Sequence, residues 1–158
     1  MIDILIDDDV DANLPSQASI ESAIHLTCKK ATHNIVTPHV CIRFAHNDIV
    51  QGLNAQWRNK DNVTDVLSFP MQEGENYNPD EPLGDIILAM PFVNQEAERL
   101  QRETHAHILH LIIHGMLHLL GHDHVCTDDA YNMQSLESKI MQELHLHQPY
   151  PDEISDHA

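Results

Sequence analysis

The segment HAHILHLIIHGMLHLLGHDH, residues 105–124, predicts a central helix from 105 to 120 that organises the rest of the chain. At about 100° per residue, four of its histidines fall on one arc of about 80°. These are His107, His110, His114 and His118. The opposite side carries Ile108, Leu109, Ile112, Ile113, Met116, Leu119 and Leu120. We therefore predict a helix with one side in a hydrophobic core and the other on a polar cleft, with His107 and His110 on its rim.

The same segment has the spacing of a metal site built at the end of a helix. Residues four apart lie on one helix face, so His114 and His118 can bind the same ion. Gly121 can adopt the left-handed conformation that ends a helix and turns the chain, which brings His124 close as a third ligand. Three neutral imidazoles with a fourth position open to water are typical of catalytic zinc. We predict one Zn²⁺ per chain at these histidines.

The HxxxHxxGxxH spacing also occurs in the metzincin metalloproteases, with one difference. Those enzymes have glutamate directly after the first histidine, where it acts as the general base. In this chain that position is Gly115, which cannot accept a proton. The residue needed for peptide hydrolysis is thus missing, and the sequence favours another substrate.

Composition restricts the class of protein. The chain has 158 residues, 42% of them hydrophobic, and a formal net charge of −17. We expect one catalytic domain over residues 1–146, followed by an acidic, disordered tail over 147–158. We expect neither a membrane span nor a signal peptide, and the three cysteines fit reduced thiols in a cytoplasmic protein. With only eight lysines and arginines, any phosphate-binding surface must be local.

The hydrophobic periodicity predicts the element order β-α-β-α-β-β-α-α-α. The predicted strands cover residues 2–6, 39–45, 63–69 and 83–90. The predicted helices cover residues 16–33, 49–57, 91–102, 105–120 and 127–144. Thr104 is a candidate cap for the central helix. This order indicates an α+β fold, a small mixed four-stranded sheet packed by about five helices, with the metal site at the C-terminal end of the central helix.

Arg58 is the cation with the clearest functional interpretation. It ends the short helix and begins the polar loop over residues 58–62. An arginine fork can hold a phosphate with two hydrogen bonds and neutralise developing charge. Lys60 and Arg43 could extend the phosphate-binding patch. Trp57 is interpreted as a core residue, with a stacking face for a base as the alternative.

Three blocks of sequence resemble the YbeY-type endoribonucleases, the bacterial rRNA maturation factors. They are LNAQWRNKDNVTDVLSFP at 53–70, LGDI at 83–86 and HGMLHLLGHDH at 114–124. Together they span roughly residues 50–125, and the third is the most specific, because Gly115 separates this family from the metzincins. His122 stands where the family often has an aromatic residue, and this departure leaves the predicted ligands intact.

The resemblance implies a zinc-dependent, cytoplasmic endoribonuclease specific for single-stranded RNA. Such proteins process the 3′ end of small-subunit ribosomal RNA, act in ribosome quality control, and associate with ribosomal proteins and an Era-like GTPase. By position, His114, His118 and His124 would be the zinc ligands and Arg58 the functional arginine. The segments 64–70 and 83–86 would be strands that border the site.

Two alternatives compete with RNA cleavage. One is a non-catalytic, zinc-stabilised ribosome-assembly factor, which the charge of −17 favours because protein partners would then supply the affinity. The other is a metal-dependent peptidase or amidohydrolase, which Gly115 disfavours. The roles of His107, His110, His122, Asp123 and Cys126 stay open. For His107 and His110, the alternative to a polar rim is orientation of a ligand or service as an alternate ligand.

Overall fold

The computed structural model of the chain describes residues 1–10, 13–31, 35, 38–72, 77–122 and 127–150. Its elements follow the predicted order, and the predicted α+β fold with four strands and five helices is confirmed. The strands are β1 (Ile2–Ile6), β2 (Val40–Ala45), β3 (Val66–Pro70) and β4 (Gly84–Ala89). The helices are α1 (Gln17–Ala31), α2 (Asn47–Arg58), α3 (Met90–Arg99), α4 (Thr104–Leu119) and α5 (Thr127–Glu143).

The sheet is mixed, as predicted, with the strand order β1-β2-β4-β3. The first three strands in this order run parallel to one another, and β3 pairs antiparallel with β4 at the edge. Val66 lies opposite Leu88 and Pro70 lies opposite Gly84. A proline is tolerated at such an edge, since one side of the strand forms no ladder hydrogen bonds.

Both faces of the sheet are covered, because successive side chains of a strand point to opposite sides. Ile42 and Phe44 of β2 and Ile86 of β4 lie in the main core, with buried residues of α1 and α4. A second, smaller core on the other face consists of Ala45, Val50, Leu67, Ile87 and Ala89. Helix α4 packs against α1, α3 and α5 and against strands β3 and β4, so it is the central helix of the fold.

The two ends of α4 are set by local interactions. At the start, the Glu103 side chain accepts hydrogen bonds from the backbone N–H groups of His105 and Ala106, so Glu103 is the cap and the candidate Thr104 is the first helical residue. At the end, Gly121 has the predicted left-handed conformation, with φ of 93°. The N–H of His122 bonds the Leu117 carbonyl, which is the Schellman arrangement that closes a helix.

The histidine face of α4 differs from the prediction. His107 and His110 are only 4% and 6% exposed, so they do not form a polar rim. Helix α5 and the segment after it cover this face, and the ring centroids of His110 and His147 are 6.2 Å apart. His110 and His107 are therefore core residues, since elements distant in sequence pack over them.

Residues 147–150, in the segment predicted to be a disordered tail, contact the folded chain. The Arg102 guanidinium donates to the Pro149 carbonyl at 2.9 Å, and the Tyr150 hydroxyl donates to Glu137. Residues 151–158 lie outside the described residues. Cys28 and Cys41 are free thiols, and Cys126 lies outside the described part. Among the described helices, none has the length and apolar character needed to cross a bilayer.

Gly84→Ala is expected to lower the free energy of unfolding by about 3 kcal/mol, because strain and overpacking each cost roughly 1–3 kcal/mol. Gly84 begins β4 with φ of 151°, and a Cβ there would overlap the Phe69 carbonyl and approach Leu119 Cδ2 to 2.8 Å. Urea unfolding of both proteins measures the difference. The matched control is Gly52→Ala in α2, where a Cβ would meet nothing within 4 Å. Equal losses in the two variants would contradict the prediction.

Candidate functional site

His114 and His118 lie one turn apart near the end of α4, with both side chains partly exposed. Their Nε2 atoms are 3.1 Å apart. Two nitrogens bound to zinc at 2.0–2.1 Å with a tetrahedral angle between them would be about 3.3 Å apart. The two imidazoles therefore fit a shared zinc ion with little movement.

A buried carboxylate on α5 orients the first of these histidines. Glu137 is fully buried, and its Oε1 accepts a hydrogen bond from His114 Nδ1 at 2.5 Å. An ionised carboxylate only accepts hydrogen bonds, so the His114 proton sits on Nδ1 and the lone pair on Nε2. This carboxylate–histidine arrangement is what positions imidazole ligands around metal ions.

The other oxygen of Glu137 is also satisfied. Oε2 accepts from His110 Nε2 at 2.9 Å and from the Tyr150 hydroxyl at 2.5 Å. Burial alone would raise the pKa of Glu137, but the hydrogen bonds from His110 and His114 lower it to about 2. For His114, burial lowers the pKa, while the hydrogen bond and the charge of Glu137, with Asp65, raise it above its usual value. Glu137 is thus a stable negative charge directly behind the candidate ligand.

The structure brings together two of the three predicted ligands. His124 lies outside the described residues, as do Asp123 and Cys126, so the third ligand stays a prediction. His122 lines the same cavity as His114 and His118. The described part of the turn after α4 therefore borders the histidine pair.

The histidine pair opens onto a cavity of about 970 Å³. Its walls come from the end of α2, the loop before β3, β3 itself and the end of α4. The polar lining includes Asn54, Arg58, Lys60, Asn62, Thr64, Asp65, Ser68, Gln72, Tyr77, His114, His118 and His122. The strand β3 borders the site as the resemblance implied.

Arg58 is held in this cavity by its neighbours. Helix α2 ends at Arg58 because Asn59 adopts a left-handed conformation with φ of 56°. The Arg58 Nη2 donates to the Ser68 carbonyl at 2.7 Å, and its guanidinium carbon lies 5.7 Å from the centroid of the Phe69 ring. Ser68 and Phe69 belong to β3, so contacts with this strand hold the exposed guanidinium at the edge of the cavity.

Of the two other residues predicted for the phosphate-binding patch, one lines the cavity and the other does not. Lys60 lines the cavity and is exposed. Arg43 does not line it and instead donates two hydrogen bonds to Asp7, at 3.0 and 2.9 Å. Trp57 is 64% exposed, so its interpretation as a core residue is wrong. It does not line the cavity either.

Close packing explains why position 115 is occupied by a glycine. A Cβ there would lie 2.9 Å from Ile86 Cγ2 and 3.1 Å from Ser68 Oγ. The position faces the sheet and is closely packed, so a glutamate side chain would not fit there without displacing Ile86. The base of the metzincins therefore has no equivalent at this position.

Sequence reasoning missed two acidic residues of the site. Glu137 lies four residues after Met133 and three before Ile140, both buried, so its place on the apolar stripe of α5 was the available signal. Asp65 lines the cavity, and its Oδ1 accepts from the Val66 N–H at 2.7 Å. Nothing in the local pattern distinguished Asp65 from an ordinary loop residue.

Comparison with known proteins gives one consistent result. A family model described as endoribonuclease YbeY matches residues 6–145. The curated endoribonuclease YbeY of Bartonella bacilliformis is 40% identical over 135 residues, 84% of each chain. The Rhizobium etli protein of that name is 43% identical over 116 residues, 72% of this chain and 67% of the relative. The one from Zymomonas mobilis is 34% identical over 165 residues, 94% of each.

The fold also occurs among solved structures. TM1509 from Thermotoga maritima, determined in solution, superimposes with a TM-score of 0.57 and 24% identity over 92% of each chain. At this identity the likeness concerns the fold alone. The family match and the shared fold cover the same region as the histidine pair and Arg58.

Proposed function

Because the chain belongs to the endoribonuclease YbeY family, we propose that it is a metal-dependent endoribonuclease that cleaves single-stranded RNA. One observation carries the proposal. His114 and His118, oriented by the buried Glu137, line the same cavity as Arg58. The candidate ligands of a Lewis-acidic ion and a cation suited to phosphate thus line one cleft.

The mechanism assigns a role to each of these residues. His114 and His118, with His124, would hold Zn²⁺, which when bound polarises a phosphoryl oxygen or lowers the pKa of water. Glu137 accepts the His114 Nδ1 proton and so would leave the Nε2 lone pair available as a ligand. Arg58 donates hydrogen bonds to the non-bridging oxygens and neutralises the charge that builds up as the phosphodiester is attacked. The Ser68 carbonyl and the Phe69 ring limit the movement of Arg58, so little entropy is lost on binding.

The nature of the nucleophile is open to a direct measurement. Attack by the RNA 2′-hydroxyl leaves a cyclic phosphate and a free 5′-hydroxyl, whereas attack by water leaves a 5′-phosphate. End-group analysis of the products distinguishes the two routes.

The biological substrate we propose is the 3′ end of small-subunit ribosomal RNA, with a role in ribosome quality control. Ribosomal proteins and an Era-like GTPase are the proposed partners, and the cytoplasm is the proposed location. The formal net charge of −17 disfavours binding to RNA, which is itself negatively charged. Protein partners would therefore supply part of the affinity for the ribosome.

Arg58→Ala is expected to lower kcat for single-stranded RNA by about 10²–10³-fold, the usual cost of removing one donor that stabilises transition-state charge. Cleavage of a single-stranded fragment of the rRNA 3′ end, beside the same sequence in a duplex, is the test of the proposed function. Arg58→Lys keeps the positive charge but lacks the forked guanidinium, so its kcat should lie between those of the wild type and Arg58→Ala. Arg99→Ala is the control, because Arg99 is exposed on α3 and pairs with Glu96. Equal loss in both alanine variants would contradict the assignment.

RNA binding should depend only weakly on salt. Arg58 and Lys60 are the lysine and arginine residues among those that line the described cleft. At about 0.7 counterions released per phosphate for single strands, two contacts give a slope of about −1.4 for log K against log salt. Fluorescence anisotropy with metal-free protein, which does not cleave the probe, measures this slope. A slope steeper than about −4 would mean that a basic surface lies elsewhere.

The assembly-factor alternative keeps one supporting observation, the strong negative charge. Under it, Arg58→Ala would change ribosome association while the purified protein, with its metal bound, shows no cleavage that depends on Arg58. The peptidase alternative has lost support, because Gly115 faces Ile86 and Ser68. Peptide cleavage that disappears on metal removal would restore it.

A further inference from the structure

A second group of histidines lies between α4 and the C-terminal segment. His107 and His110 of α4 and His147 of the C-terminal segment each offer a ring nitrogen, and these atoms all lie within 4.8 Å of one another. None of the three residues lines the large cavity. His107 and His110 are 4% and 6% exposed, and the ring nitrogens of His147 are also buried. The group is therefore closed off from the cleft.

The nitrogens of this group have no hydrogen-bond partners among the described residues. This holds for both ring nitrogens of His107, both of His147, and Nδ1 of His110. A buried polar atom left unsatisfied costs about 1–3 kcal/mol, and folded proteins contain few of them. Here such atoms come from three residues, and a ring nitrogen of each residue lies within 4.8 Å of one from each of the other two. A single cation would satisfy one nitrogen of each imidazole.

We propose that His107, His110 and His147 form a second metal site, which binds Zn²⁺ or a similar divalent transition ion and fastens the C-terminal segment to α4. His110 would bind through Nδ1, because its Nε2 donates to Glu137 at 2.9 Å. This hydrogen bond places the proton on Nε2 and the lone pair on Nδ1. His110 is thus prepared as a ligand in the same way as His114.

The spacing requires a small contraction on binding. Nitrogens bound to one zinc ion are about 3.3 Å apart, against the present separations of up to 4.8 Å. The ring centroids of His107 and His110 are 6.5 Å apart, and those of His110 and His147 are 6.2 Å apart. An ion would draw the rings inwards, and the unpartnered nitrogens of His107 and His147 have no hydrogen bonds to break.

The role of this ion follows from its position. It would join α4 to residue 147, which lies after α5, and so hold Tyr150 against Glu137. Glu137 accepts a hydrogen bond from one histidine of each proposed site: Oε1 accepts from His114, and Oε2 accepts from His110. The second ion would therefore be structural, since His107 and His110 and the ring nitrogens of His147 are buried, whereas His114 and His118 line the cavity.

Metal stoichiometry tests the inference without an activity assay. Metal-free protein is titrated with Co²⁺ followed by visible absorption, and the zinc content is measured after equilibrium dialysis. We expect two equivalents in the wild type and one in His147→Gln and His107→Gln. His118→Ala should also bind one, and the double variant of His118 and His147 none. His25→Gln is the control, because His25 is exposed on α1, and it should keep two.

The outcomes separate this inference from the proposed function. One equivalent in the wild type, lost in His118→Ala and kept in His147→Gln, would overturn the second site and leave the cleft site standing. Two equivalents in both His147→Gln and His107→Gln would also overturn it. Conversely, loss of an equivalent in His147→Gln with none lost in His118→Ala would support the second site and count against the cleft site. Circular dichroism checks that the variants are folded. If His107→Gln does not fold, the metal stoichiometry of His147→Gln is the test of the second site.

Discussion

His118→Ala is expected to release the metal from the cleft and to lower RNA cleavage to background. A metal ion contributes several kcal/mol of transition-state stabilisation, which corresponds to a loss of about 10³–10⁴-fold in rate. The expectation rests on the 3.1 Å separation of the two Nε2 atoms. Without His118, only His114 and the predicted His124 remain, and two imidazoles are fewer than the three protein ligands of a catalytic zinc site. The measurement is cleavage of a single-stranded RNA by protein of known metal content.

Two comparisons make this result decisive. Wild-type protein stripped of metal should match the variant and recover on addition of Zn²⁺, whereas the variant should not recover. His25→Ala, an exposed histidine on α1, should keep full activity. Equal cleavage by the wild type and a folded His118→Ala would point to a contaminating ribonuclease, and the proposed function would lose its main support.

Glu137→Gln is expected to weaken metal binding in the cleft by about 10–100-fold, the usual effect of losing a carboxylate behind a histidine ligand. It should also lower the free energy of unfolding by about 3 kcal/mol, because hydrogen bonds to a buried charge contribute roughly 1.5–3 kcal/mol each. The glutamine keeps the size of the side chain but cannot accept from His110, His114 and Tyr150 with a full negative charge.

The matched control lies on the same helix. Glu143→Gln removes an exposed carboxylate that pairs with Lys30 at 2.7 Å, and should cost no more than about 1 kcal/mol. Metal affinity is best compared in a His147→Gln background, where we expect only the cleft ion to bind. Unchanged affinity in Glu137→Gln would mean that His114 does not need this carboxylate for its orientation.

The features that the sequence predicted well are local ones. The order of nine elements follows from hydrophobic periodicity, and the end of α4 follows from Gly121, whose φ of 93° few other residues adopt. The pairing of His114 with His118 follows from the helical repeat. Each of these depends on residues only a few positions apart.

The errors have a common cause in long-range packing. His107 and His110 were predicted on a rim because the angular position of a side chain on a helix does not show what covers it. Arg43 is neutralised by Asp7, which is 36 residues away, and Trp57 is exposed although tryptophan is usually buried. None of these partners or exposures is encoded in a local pattern.

By itself, the sequence determined the α+β fold, the family and the positions of the candidate ligand pair and Arg58, because periodicity, turn residues and motif spacing act over short distances. Only the tertiary structure decided that Glu137 stands behind His114, that β3 holds Arg58 in the cleft, and that the segment carrying His147 closes over His110. These relations depend on how α5 and the sheet pack around α4. Burial and hydrogen bonding join residues far apart in the chain, so their partners become known only when the chain is folded.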